Sequence, residues 1–316
     1  MKFHRNPPAL SSTVAIPTYR RPDYLRRAAT SVILQSYPPE ALIIVARQDD
    51  MASREVISEI IDSYSGSIQI IEATVTEAGF LPPIIEAVNR ATTDLIAFLD
   101  DDAEAPPDWL ALLLKPYEDP KVGGSGGRYI NYFQGVLQKY RPVRRAASLS
   151  WYGDLVGNLH CDCAFVETRD ADVLIGGNMS FRRELLLTCL PDARLRKNVS
   201  FHWELDVAQK VKKRGFRLRF NPLCVVDHHS APREVDGLRT VNYEGIYWSN
   251  HNYAFLMRVH LSWFGFLVYF FKSFLLGSKA SPGLAYFGYS MLRGKPLPLK
   301  IEVVASIKGR FAGAMA

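Results

Sequence analysis

The sequence predicts an α/β fold: a mostly parallel sheet flanked by helices, followed by a helical tail that is both apolar and basic. Three observations lead there. Apolar strand-like runs alternate with amphipathic helical stretches through the first hundred residues. Two of those runs end in clustered acids, "ARQDD" and "LIAFLDDD". After about residue 250 the pattern changes to a long apolar stretch among scattered lysines and arginines. Alternation of this kind implies βαβ crossovers, and ligands of such sheets bind outside the carboxyl ends of the strands.

Taken in order, "STVAIPTYRRPDYLRRAATSVILQSY" reads as a short first strand, a loop containing Pro17 and then a helix. "ALIIVARQDD" is a second buried strand, "SREVISEIIDSY" an amphipathic helix and "SIQIIEA" a third strand. "LPPIIEAVNRAT" is the next helix and "DLIAFLDDD" the fourth strand. From 120 to 230 the pattern loosens into glycine clusters and short strands around one good helix, "WELDVAQKVKK". That helix has acids in its first turn, bases in its last and Gly215 as cap, as the helix dipole favours.

Composition bounds the function. With 48% hydrophobic and 22% charged residues the 316-residue chain can bury a large core, which excludes a disordered segment or a disulfide scaffold. Cys161, Cys163, Cys189 and Cys224 contain no C-x-x-C pair, so reduced structural thiols are expected. The opening "MKFHRNPPALSS" lacks the apolar stretch of a secretory signal, and a cytoplasmic protein is expected. From His251 onward eight lysines or arginines face a single acid, Glu302, which leaves the rest of the chain close to neutral. A near-neutral body argues against nucleic acid as partner.

Four motifs carry chemistry. Asp100 and Asp102, two apart on a strand end, share a face and suit Mg²⁺ or Mn²⁺ held jointly with phosphates. On the residues alone an acidic solvated turn, with Asp108 capping "DWLALLL", fits equally, but Asp49 and Asp50 ending the second strand favour a ligand cleft. Glu204 and Asp206 open the helix beside His202 and Trp203, where one carboxylate can face a cleft as general base or both can serve only the dipole. In "LIGGNMSFRREL" Gly176 and Gly177 let backbone approach a ligand and Ser180 is placed to cap a helix, while Arg182 and Arg183 reach a phosphate or solvent. "NPLCVVDHHS" ends a strand in His228 and His229, either structural or a metal ligand.

The order of these motifs, "PTYRR", a strand ending in acids, "FLDDDAEAPPDWL", "GGNMSFRREL", "WELDVAQKVKKRGFRL" and "PLCVVDHH", resembles the family 2 glycosyltransferases over roughly residues 11 to 260. The resemblance implies a GT-A type, Rossmann-like catalytic domain over 1–250, with a nucleotide-binding half at 11–119 and an acceptor-binding half at 120–250. A helical tail over 251–316 follows. It implies that Pro17, Thr18, Tyr19 and Arg20 frame the nucleotide. Asp50, or Asp49, holds the base or ribose. Asp100 and Asp101 lie on the nucleotide sugar, and Asp102 and His228 hold a divalent metal, Mn²⁺ or Mg²⁺. Gly177 and Asn178 lie near donor and acceptor, Glu204 is the catalytic base, and Trp203 and Asp206 lie on the acceptor side. The activity implied is inverting and non-processive transfer from a nucleotide-sugar donor, UDP-linked in the commonest case, to a glycan or lipid-linked acceptor. No Gln-x-x-Arg-Trp motif follows the helix, which argues against a processive synthase. Trp203, where the family has an acid, leaves a non-catalytic sugar-nucleotide or glycan-binding protein as the alternative. "DDDAE" also suits prenyl-diphosphate synthases, but those are all-helical.

The run "LSWFGFLVYFFKSFLLG", Leu261 to Gly277, is short of the ~20 residues a spanning helix needs. With Lys272, Lys279 and the basic excess it suits a helix lying on the inner face of the plasma membrane, with contact through 255–280, or a helical cap on the catalytic domain.

Overall fold

A computed structural model describes residues 10–156, 162–196, 201–230, 243–277, 281–293 and 298–316. Cys161 and Lys279 lie outside the described residues. The chain divides into two compact units. The first comprises Met1–Ser148, Val156–Leu190 and Val207–Pro232; the second comprises Leu149–Leu155, Pro191–Asp206 and Arg233–Ala316. The boundary expected at residue 250 falls inside a helix, and the segment carrying Glu204 groups with the tail.

The first unit is built on a ten-stranded sheet. Its strands are β1 (Ser12–Thr18), β2 (Ala41–Arg47), β3 (Gln69–Val75), β4 (Leu95–Leu99), β5 (Ala103–Glu104), β6 (Val122–Phe133), β7 (Val136–Leu137), β8 (Arg169–Ala171), β9 (Asn178–Arg182) and β10 (Arg217–His228). The spatial order is β8-β10-β6-β9-β4-β1-β2-β3, with β5 paired to β10 and β7 to β6. Helices α1 (Pro22–Ile33), α2 (Met51–Ser63) and α3 (Leu81–Arg90) link the first four strands. β1 and β4 are buried along their whole length, and β2 up to its last residue, the half-buried Arg47, as apolar runs in the middle of a parallel sheet should be. Pro17 lies within β1 rather than in a loop. Pairing of β1 with β4 ends at Ala15, two residues earlier, so a residue without an N–H is accommodated there.

The sheet is parallel from β3 to β4 and mixed beyond, because β9 runs antiparallel to both β4 and β6. Ser180 therefore sits buried in β9 and caps no helix; α5 (Arg183–Leu187) starts three residues later. From β1 the chain builds outward through β2 and β3, then returns to add β4 on the other side of β1. β1 and β4 thus flank the switch point, where an open α/β sheet leaves a crevice at its carboxyl edge. The residues immediately beyond those strand ends are Tyr19–Arg21 and Asp100–Asp102.

The remaining helices are α4 (Trp109–Leu114), α6 (Trp203–Lys213), α7 (Tyr243–His260), α8 (Trp263–Leu275), α9 (Leu284–Leu292) and α10 (Pro298–Met315). In the second unit α10 presses closely on α7. An added Cβ at Gly309 would lie 2.3 Å from the Tyr247 carbonyl oxygen, and one at Gly313 1.9 Å from that of His251. Among the described residues no helix is long and apolar enough to cross a membrane.

Candidate metal and nucleotide site

The three aspartates are resolved in three different ways. Asp101 is buried; it accepts from Thr18 Oγ1 at 2.9 Å and from Arg21 Nη1 at 2.9 Å. The same Arg21 nitrogen lies 3.1 Å from Asp102 Oδ2. Burial pushes the Asp101 carboxyl up to about 6, and the neighbouring Asp102 charge adds to the rise, against the pull of Arg21 and Thr18. Asp100 accepts from the Tyr129 hydroxyl at 2.7 Å, and burial with the adjacent Asp100 charge drives that phenol well above its usual range. Gly177 lies against this pair. A Cβ there would come within 2.2 Å of the Tyr129 oxygen and 2.3 Å of Asp100 Cγ, so only glycine permits the approach.

His228 completes the group. Its Nε2 lies 3.2 Å from Asp102 Oδ1 and 4.0 Å from Asp100 Oδ2, and its ring stacks on Tyr129 with centroids 4.6 Å apart. Its other nitrogen, Nδ1, faces Asn131 Oδ1 at 3.1 Å. With Nδ1 donating to that carbonyl oxygen, a neutral imidazole turns its Nε2 lone pair toward two carboxylates. That arrangement is repulsive unless a proton or a cation lies between. Donor atoms from Asp100, Asp102 and His228 lie within 4.8 Å of one another, and hard carboxylate oxygens with one imidazole fit Mn²⁺ or Mg²⁺. The Asn131 contact is the kind that orients a metal-bound histidine.

At the carboxyl ends of β2 and β3, on the other side of β1 from β4, a shallow open groove of about 480 Å³ is lined by Arg47, Gln48, Asp49, Thr76 and Ala78. Arg47 grips Asp49 with Nε and Nη2, each at 2.6 Å, and its guanidinium lies 3.9 Å over the Tyr19 ring. The bidentate bond holds the Asp49 carboxyl down at about 2. Asp50, expected to hold the base or ribose, is instead buried. One oxygen caps α2 through Ser53 N at 3.1 Å, and the other accepts from Arg20 N, in a residue with φ of 55°. The side chain that faces the groove is Asp49, because an acid at a helix N-cap is consumed by the helix.

Further expectations change. Asn178 is fully buried: Oδ1 accepts from Trp109 Nε1 at 2.9 Å, and Nδ2 donates to the carbonyls of Arg128 at 3.0 Å and Cys224 at 3.1 Å. It stitches α4, β6 and β10 together, and its amide is not presented to a ligand. Trp203 and Asp206, expected on the acceptor side, are buried in the second unit. Asp206 Oδ1 lies 2.7 Å from His260 Nε2, and Oδ2 accepts from Asp192 N at 2.7 Å. Glu204, between them, is half-buried in the first turn of α6. Asp108 holds the N-cap position of α4 without a side-chain cap bond. Cys163, Cys189 and Cys224 are free thiols.

Sequence reasoning missed Arg21, Tyr129 and Asn131. Only Arg21 left a signal: a second arginine directly before the helix-starting Pro22, at the end of the strand beside the aspartates.

The chain matches the family described as Glycosyl transferase family 2 over residues 13–189. Among curated relatives it is 27% identical over 182 residues to a glucosyl-dolichyl phosphate glucuronosyltransferase of Haloferax volcanii, covering 55% of this chain and 53% of the relative. It is 24% identical over 234 residues to a pre-mycofactocin glycosyltransferase of Mycobacterium tuberculosis, covering 71% and 45%. The chain thus spans about half the length of these relatives. Its fold is shared by a Pyrobaculum calidifontis mannosyltransferase, PcManGT, solved with GDP-Man and Mn²⁺ (TM-score 0.57, 15% identity, 100% of this chain and 90% of that one). It is shared too by GalNAc-T7, solved with UDP, GalNAc and Mn²⁺ (TM-score 0.59, 16% identity, 91% and 58%). With the match to more than half of its length and the acid group at the β1–β4 crevice, this chain belongs to the family 2 glycosyltransferases and has their GT-A fold.

Proposed function

We propose that the protein transfers a sugar from a nucleotide-sugar donor to a hydroxyl of a glycan or lipid-linked acceptor, with inversion at the anomeric carbon. The observation that carries this reading is the convergence of Asp100, Asp102 and His228 at the same carboxyl edge of the sheet as a groove flanked by Tyr19, Arg47 and Asp49. The Arg47–Tyr19 stack offers an edge for the base, and Asp49 a carboxylate for base or ribose hydrogen bonds. A divalent metal on Asp100, Asp102 and His228 would neutralise charge on the departing diphosphate. Arg21 holds Asp101 and Asp102 in place for that, and Gly177 keeps the approach to Asp100 open.

Glu204 is the general base of this proposal. It would take the acceptor proton as the hydroxyl attacks C1 on the face opposite the diphosphate. Inversion follows from that single in-line displacement. UDP is the first candidate for the nucleotide; the mannosyltransferase neighbour, solved with GDP-Man, makes GDP the second. The glucosyl-dolichyl phosphate on which the Haloferax relative is named as acting supports a lipid-linked acceptor.

The test is calorimetric titration of UDP, GDP and dTDP, each with and without Mn²⁺, into the native protein and Asp102→Ala. Binding of one nucleotide that needs Mn²⁺ and disappears in the variant is expected. Binding indifferent to metal and to the substitution would overturn the proposed metal site.

A further inference from the structure

Helix α8 of the second unit is apolar except for Lys272, which pairs with Asp154, and Ser273. A helix with that pattern is ordinarily buried all round. This one is not. Gly265, Phe266 and Tyr269 face inward and are buried. On the opposite face Phe264, Phe271 and Leu275 recur at i, i+7 and i+11, with exposures of 67%, 58% and 50%. Trp263, at the start of the helix, is 73% exposed. Trp151 packs flat on Phe264, with ring centroids 5.8 Å apart and planes 4° from parallel, and stays largely exposed itself. Two indoles and two phenyl rings are therefore exposed on or against one helix, the Trp151 and Phe264 rings stacked on each other.

We propose that this face of α8, edged by Trp151 and Trp263, docks the protein on an anionic lipid bilayer, lying in the interface without crossing it. The length of the helix excludes spanning: 13 residues reach about 20 Å, against a hydrocarbon core of about 30 Å. Rings of Trp and Phe at the headgroup boundary are the side chains such a position selects. Charge selects the lipid. From His251 onward the chain carries eight lysines and arginines against Glu302 alone, and Arg258, Arg293 and Lys308 are exposed. That excess is complementary to anionic headgroups and repels a second copy of the same basic tail. The inference goes beyond the transfer reaction and does not depend on it, since lipid binding is read without turnover.

The experiment is co-sedimentation of the full chain with vesicles of phosphatidylcholine alone and of phosphatidylcholine with phosphatidylglycerol. Binding to the anionic vesicles, weakened by salt, is expected, and the double variant Phe264→Ser/Phe271→Ser should bind at least about tenfold more weakly. An unchanged far-UV spectrum and unchanged Mn²⁺-nucleotide binding keep misfolding apart from loss of docking. A second measurement needs no destabilising change: brominated lipid should quench native tryptophan fluorescence, and Trp151→Phe/Trp263→Phe should abolish the quenching while still sedimenting with vesicles. Equal vesicle binding by native and serine variants would overturn the proposal. So would failure of the native chain to bind, or a dimer in solution that the serine variant dissociates.

Discussion

His260 and Asp206 form a buried imidazole–carboxylate pair, Nε2 to Oδ1 2.7 Å, with side-chain exposures of 1% and 0%. Asp206 is two residues beyond Glu204 in the first turn of α6, and His260 is the last residue of α7. The pair ties the start of the helix carrying the proposed base to a second helix of the same unit. Removing one partner strands the other away from water, so Asp206→Ala and His260→Ala should each cost about 3–5 kcal/mol in urea denaturation. The double variant should cost clearly less than the two together. Additive losses would show that the two groups do not interact.

Asn131 touches no substrate in this scheme, yet its carbonyl oxygen sets which nitrogen of His228 carries the proton. Asn131→Leu keeps the bulk and removes that acceptor. Mn²⁺ affinity, read by calorimetry, should fall by about 10- to 100-fold. Affinity equal to the native protein would remove Asn131 from the site.

Asp101 gives the metal-free protein a pH dependence whose sign follows from burial. Its carboxyl is raised from 3.8 to about 6, so the folded state binds a proton more tightly than the unfolded chain. This contribution to stability is fully present below about 4 and is lost as pH rises through about 6. In Asp101→Asn that loss should vanish from unfolding curves recorded across the same window. Retention of the dependence in Asp101→Asn would assign it to another group.

Glu204→Gln isolates proton transfer from binding. The proposed role predicts kcat lower by about 10²- to 10⁴-fold, with Mn²⁺-nucleotide binding unchanged. Turnover at the native rate would move the base elsewhere.

Much of the first unit was legible in the chain. β1 to β4 are short apolar runs separated by amphipathic helices, and the acids that end β2 and β4 mark the carboxyl edge. The residues alone left His228 either structural or a metal ligand; it was the resemblance to the family 2 glycosyltransferases that implied its pairing with Asp102, and the fold brings Asp100, Asp102 and His228 together. Side-chain roles that rest on distant partners were not legible. Asp50 and Asp49 are neighbours of one type, and only the cap on α2 and the grip of Arg47 separate a buried structural acid from a groove-facing one. Asn178 was expected near donor and acceptor, and its burial was not legible because its three partners lie 46 to 69 positions away.

The puzzle of three adjacent aspartates divides along the same line. By itself the sequence determined the succession of strands and helices in the nucleotide half, the strand-end acids and the apolar, basic character of the tail. Periodicity and charge pattern are local properties, and a chain carries them wherever it goes. Only the tertiary structure decided what meets each charge: Arg21 and Thr18 for Asp101, Tyr129 for Asp100, and Arg21 for Asp102, with His228 set beside it as a third metal-binding donor. Electrostatic compensation depends on distance in space, and most of these partners are about 30 to 130 positions away along the chain, brought within about 3 Å by the crossing of β1, β4, β6 and β10.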